Sequence, residues 1–262
     1  MKYYVISDPH GFYYEMIKAL KEAGYFEETG ECRLVVVGDL LDRGGQAREM
    51  VEFMMEEDRE GRLIYVLGNH EDLIIDSLQS IANGDVFMVA NPASHHCRNG
   101  TWDTILQLSD MDEDVAVKNT LSLLRSVLDH DYYRHLLYRG VDYFETPHYV
   151  FTHGYIPCHA EGLRPVTSAT YDLNWREATP HEWRTARWYN GMEMNHFHGV
   201  RIPDKTVVCG HWHTSYGHCK IEGKGEEFGS RADFTPFYGD GIIALDACTK
   251  VSGFVNCIVL ED

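Results

Sequence analysis

Five short polar motifs in this 262-residue chain hold the residue types that bind metals and move protons. They are Ser7-Asp8-Pro9-His10-Gly11, Gly38-Asp39-Leu40-Leu41-Asp42-Arg43-Gly44, Gly68-Asn69-His70-Glu71, His153-Gly154 and Gly210-His211-Trp212-His213. Asp8 and His10 stand two apart, the spacing that keeps side chains on one side of an extended segment. A carboxylate and an imidazole so placed can chelate one ion. Mixed Asp, His and Asn ligation suits Mn, Fe or Zn better than an all-oxygen Mg or Ca site. Two such ions, about 3.5–4 Å apart, would polarise a phosphoryl group and lower the pKa of a bridging water.

Each motif follows a short apolar run rich in strand-forming residues. The runs are Tyr3–Ile6, Leu34–Val37, Leu63–Leu67, Tyr149–Thr152 and Thr206–Cys209, with two more at Ile242–Leu245 and Phe254–Leu260. Apolar residues that run continuously, without alternating, predict strands buried on both faces. Helical spacing appears at 12–23, 46–57, 70–82, 101–109 and 115–137. The order strand, helix, strand, helix, strand predicts an α/β fold. In open α/β sheets, ligands bind outside the carboxyl ends of strands. Five strand ends would deliver the motifs to one such edge. The segment 155–205 shows no clear period, and the glycine-rich 222–241 reads as a loop. The acidic clusters Glu56–Glu60 and Asp110–Asp114 read as solvated surface.

The composition is globular, with 44% hydrophobic residues, and the formal charge is −18. So acidic a chain lacks the cationic excess that grips a nucleic-acid backbone or an anionic membrane. An anionic substrate would therefore need bound metal ions to attract it. No stretch approaches the ~20 apolar residues of a membrane span. The seven scattered cysteines form no C-x-x-C pair. They read as reduced thiols in a cytoplasmic protein. No linker divides the chain, so residues 1–262 read as one domain.

The motif set D-x-H-G, G-D-x-x-D-R-G, G-N-H-E, T-H-G and G-H-x-H resembles the calcineurin-like metallophosphoesterase superfamily, specifically its phosphoprotein phosphatase branch. Asn99-Gly100-Thr101-Trp102-Asp103-Thr104 resembles the N-G-G-x-x-T element of bacterial members, with Thr101 in place of the second glycine. Ala244-Leu245-Asp246-Ala247-Cys248 resembles their C-terminal I-D-T-G-C element. The resemblance implies a central β-sandwich of mixed sheets flanked by helices, and two divalent ions: Mn first, with Fe, Zn, Mg or Co as alternatives. Asp8, His10 and Asp39 would hold the first ion. Asp39, Asn69, His153 and His211 would hold the second, and His213 is a further candidate ligand. His70 would protonate the leaving-group oxygen, Asp42 would orient it, and Arg43 and Asn69 would bind substrate phosphate. The family's second phosphate-binding arginine is sought among Arg176, Arg184 and Arg187, and Arg176 is preferred. The implied reaction is direct in-line attack by metal-bound hydroxide on phosphorus.

Three functions are weighed. The first is a Ser/Thr protein phosphatase acting on phosphorylated proteins or peptides. The alternative is a symmetrical diadenosine tetraphosphate hydrolase, or one for another nucleotide or phosphodiester. Tyr155, Trp175, Trp183 and Trp212 are its available base-stacking rings. The third is a non-catalytic scaffold, which would predict eroded ligands.

Overall fold

A computed structural model describes residues 1–162 and 165–262. Eleven strands occur among these residues: β1 Lys2–Ile6, β2 Cys32–Val37, β3 Leu63–Val66, β4 Phe144–Glu145, β5 Tyr149–Phe151, β6 His159–Glu161, β7 Ser168–Thr170, β8 Thr206–Cys209, β9 Phe237–Gly239, β10 Ile242–Ala244 and β11 Cys257–Glu261. One sheet runs β11-β1-β2-β3, a second runs β4-β5-β8-β10-β9, and β6 and β7 form a separate hairpin. The pairs β1–β2, β2–β3, β5–β8 and β8–β10 are parallel, whereas β11, β4 and β9 close the edges antiparallel.

Strand alternation explains why the apolar runs are continuous. Tyr3, Val5, Val35 and Val37 point into a core shared with Phe151, Val208, Ile243 and Leu245 of the second sheet. Tyr4, Ile6, Leu34 and Val36 point the other way, into the helices. Both faces are thus dry, and the two sheets form a sandwich. The helices on the first sheet include α1 Tyr13–Glu22, α2 Ala47–Arg59, α3 Asn69–Ala82, α4 Val86–Val89, α5 His95–Asn99 and α6 Thr101–Ser109. Their Met16, Leu20, Met50, Ile74, Trp102 and Ile105 fill that outer core.

Several expectations change in detail. The run expected at 115–137 breaks into helices Glu113–Lys118 and Thr120–Asp129 and a π-turn at Tyr132–Leu136. Segment 155–205 contains the β6–β7 hairpin and two capped helices. In Pro180–Ala186, Thr179 and Glu182 form a reciprocal capping box. In Gly191–His196, the Asn190 side chain caps two N–H groups. Glu57 is not solvated: it is buried, accepts the Tyr25 hydroxyl and pairs with Arg62. No helix among the described residues is long and apolar enough to cross a membrane.

Candidate metal centre

The carboxyl ends of β1, β2, β3, β5 and β8 open into turns that converge on one cluster. The turns are strained. Asp8, His10, Asp39, Asp42, Arg43, His211 and Cys248 all have positive φ, and among the described non-glycine residues only Asp110 and Asp204 share this outside the site. Left-handed backbone costs a non-glycine residue about 1–2 kcal/mol. Such strain persists only where the surroundings over-determine it, typically at functional sites.

Two groups of three ligand atoms, each mutually within 4.8 Å, share Asp39: His10–Asp39–His70 and Asp39–His153–His211. His10 Nε2 is 3.7 Å from Asp39 Oδ2 and 4.0 Å from Asp8 Oδ1. His153 Nε2 is 3.2 Å from Asp39 Oδ1 and 2.9 Å from Asn69 Oδ1. The far sides of both imidazoles are spoken for. His10 Nδ1–H donates to Leu41 O at 3.0 Å, and His153 Nδ1–H donates to Val37 O at 2.9 Å. Each ring therefore presents Nε2 to the cluster, as a metal-ligating histidine does. Burial, with Arg43 and His70 adjacent, holds His10 well below its usual range, so the ring is neutral and ready to ligate. Burial opposes charge on His153 too, but Asp39 and Asp8 outweigh it and raise the imidazole to about 10. Burial and Asp246 push Asp8 up, while His153 and His70 overcome burial to hold Asp39 well down. Carboxylates this buried and this close are suited to a divalent cation, and the N/O donor set fits one.

The frame around the cluster is built from hydrogen bonds between loops. The Asp39 carboxylate accepts the His70 N–H at 2.9 Å, at the amino end of α3, where helix N–H groups favour an anion. Glu71 accepts N–H groups from Gly68 at 2.6 Å, Asp39 at 3.0 Å and Leu40 at 3.1 Å, tying the turns after β2 and β3 together. Gly68 must be glycine because a Cβ there would strike Asp39 Oδ1. The His211 N–H donates to Asp8 at 3.0 Å, which fixes the turn after β8 against that after β1. His70 Nδ1–H donates to Asp42 at 2.6 Å. Arg43 spans the two imidazoles, donating from Nη1 to His10 Nε2 at 2.7 Å and from Nη2 to His70 Nε2 at 3.0 Å.

Asp8, His10, Asp39, Asp42, Arg43, Asn69, His70, His153 and His211 thus meet, and two expected site residues do not join them. His213 enters neither group. Its Nε2 is 3.1 Å from Glu227, and Phe228 packs 4.5 Å from its ring. Arg176 lies over Trp175, with a 2.5 Å pair to Glu145. Glu145 also pairs with Lys205, which immediately precedes β8. Arg176 therefore sits at the amino end of β8, and the four-residue strand separates it from the His211 turn by about 13 Å. The other two arginines are also committed: Arg187 to Asp72 and Asp142, Arg184 to Asp76. Three of the four rings proposed for stacking, Tyr155, Trp175 and Trp183, are buried core. Trp212 stays half-buried. Trp188 stands 5.6 Å edge-on to His211 and 6.2 Å from His95, a placement no periodicity signalled. Asp246, a buried neighbour of Asp8, received no role from sequence although its motif was legible.

The calcineurin-like phosphoesterase family matches residues 1–231. The chain belongs to that family. Among its curated relatives are two proteins named bis(5'-nucleosyl)-tetraphosphatase (asymmetrical). The Bacillus velezensis protein is 40% identical over 76 residues, and the Bacillus subtilis protein 41% over 76. Each match takes in 27% of this chain, and 30% and 31% of the respective relative. The chain therefore spans under a third of the length of these relatives. Among solved structures, that of an inferred diadenosine tetraphosphatase is 16% identical, with TM-score 0.50. It covers 99% of this chain and 89% of that one. A cold-active protein-tyrosine phosphatase from a Shewanella species is 19% identical, also at TM-score 0.50, covering 100% and 75%. At these identities the structures establish a shared metallophosphoesterase fold. Membership of the family implies divalent metal ions, and the two ligand groups that share Asp39 could hold them.

Proposed function

We propose that this phosphoesterase hydrolyses a nucleotide polyphosphate at a dinuclear centre. One observation carries the dinuclear reading: Asp39 belongs to both ligand groups, so it would help to hold both cations. Asp8 and His10 would complete the first site, and Asn69, His153 and His211 the second. When bound, the two divalent ions supply the charge that activates water and neutralises the phosphoryl oxygens. Arg43 then turns its two N–H groups from the imidazoles to phosphate oxygens, a bidentate geometry guanidinium favours. His70 gives a proton from Nε2 to the leaving oxygen as the P–O bond breaks, while Asp42 keeps the imidazole aligned through Nδ1.

The nucleotide is favoured over the phosphopeptide, the first reading from sequence, on two grounds. Trp188 and Trp212 are half-buried rings 5.6 Å and 6.0 Å from the His211 ring. Relatives matched over 76 residues are also named as nucleosyl-tetraphosphatases. The test is a kcat/KM comparison on metal-stripped protein reloaded with Mn. Diadenosine tetraphosphate, a phosphoserine/phosphothreonine peptide and p-nitrophenyl phosphate are the substrates. Preference for the dinucleotide supports the proposal; ADP alone as product means symmetrical cleavage, and ATP with AMP means asymmetrical cleavage. Preference for the phosphopeptide would replace it with the protein phosphatase reading.

A further inference from the structure

The first turn of α6 does more than begin a helix. Thr101 is fully buried, and its hydroxyl donates to Asp42 Oδ2 at 2.7 Å across 59 residues of sequence. The same oxygen receives His70 Nδ1–H at 2.6 Å. One turn further on, Thr104 Oγ1 accepts the Asp42 backbone N–H at 3.1 Å. Gly100, with φ +88°, lets this turn press against the Arg43 backbone. The helix itself is anchored by Trp102, Ile105 and Leu108 in the core. A rigid element therefore grips Asp42 by its main chain and its carboxylate together.

We propose that Thr101 is a positioning residue for proton donation by His70. A carboxylate rotates broadly about its terminal torsion. With His70 as sole donor, carboxylate and imidazole could turn together. A second donor on the same oxygen, fixed to a buried helix, removes that freedom and aims His70 Nε2 at one point. The hydroxyl is not spent on capping α6, whose first turn has no side-chain cap. A buried hydroxyl needs a partner, and Asp42 is the partner it has. The inference rests on the hydrolase reading above.

The test exploits the leaving group. Protonation matters for a poor leaving alkoxide and little for p-nitrophenolate. Thr101→Val, nearly isosteric, should lower kcat about ten-fold on an alkyl phosphate and less than about two-fold on p-nitrophenyl phosphate, with bound Mn unchanged. Thr101→Ser should restore the alkyl phosphate rate. In a His70→Asn background, Thr101→Val should cost nothing further. If the valine variant does not fold, Thr101→Ala removes the hydroxyl without added branching and carries the same expectation. Equal losses on both substrates, or no loss, would overturn the positioning role while the hydrolase reading stands. Failure of the wild type to turn over diadenosine tetraphosphate or either ester, with Mn bound, would overturn both.

Discussion

Gly100→Ala probes how closely α6 must approach the catalytic turn. Gly100 has φ +88° and serves as the joint between α5 and α6. Two costs follow from adding a methyl group. Left-handed backbone penalises alanine by about 1–2 kcal/mol. The new Cβ would also collide with Arg43 N and lie 2.9 Å from Arg43 Cα, whereas ordinary contact begins at 3.4 Å. The Arg43 backbone must then retreat by about 1 Å at its nitrogen, and overpacking of this kind adds roughly 1–3 kcal/mol. The combined cost, about 3 kcal/mol, lowers Tm by about 6–12 °C in a chain of this size. Because the displaced segment carries Arg43 and Asp42, kcat should fall by about 10²-fold, as misplacements approaching an ångström do. Gly24→Ala is the control. Gly24 has a similar φ of +83°, but nothing lies within 4 Å of its added Cβ. It should show the strain alone, a Tm fall of about 2–8 °C with kcat retained. The assay is thermal unfolding of both variants beside p-nitrophenyl phosphate turnover with Mn. If Gly100→Ala keeps its kcat, or matches Gly24→Ala in both readouts, the close approach does not hold the site and the reasoning fails.

Other outcomes follow from the same geometry. Asp39→Asn should lose bound Mn and activity together, whereas His70→Asn should retain metal and lose about 10²-fold or more on poor leaving groups, read by metal analysis and turnover. Trp188→Ala should raise KM for diadenosine tetraphosphate about ten-fold relative to p-nitrophenyl phosphate, since stacking on a base is worth about 1–3 kcal/mol; equal KM changes would refute a base-facing role. Arg176→Ala should leave kcat/KM within about two-fold and cost up to about 1 kcal/mol in urea unfolding at neutral pH. Arg176 holds Glu145 at about 2 against a reference of 4.5, with Lys205 assisting and partial burial opposing. That stabilisation is complete above pH 4.5 and vanishes as the pH falls towards about 2. The wild-type advantage over Arg176→Ala should therefore shrink across that window.

The amino-acid sequence alone determined which residues could act and where they would emerge. Asp8, His10, Asp39, Asn69, His70, His153 and His211 each follow an apolar run, and a run buried on both faces specifies a strand whose end must turn. That information is local, so spacing reveals it. Even Glu71 is local in this sense, since it reaches back three residues to the Gly68 N–H at the start of α3. Partner choice between distant segments is not local. Glu145 captures Arg176 across 31 residues and Glu227 captures His213 across 14, which removes both from the cluster. No periodicity encodes such pairs. They arise because a polar side chain takes the nearest partner that the packed strands bring to it. Burial likewise decided between the aromatic rings, placing Tyr155, Trp175 and Trp183 in the core and leaving Trp188 beside His211. The Thr101 hydroxyl belongs to the same class. In sequence it is a departure from a glycine motif, and only the packing of α6 against the turn after β2 places it on Asp42.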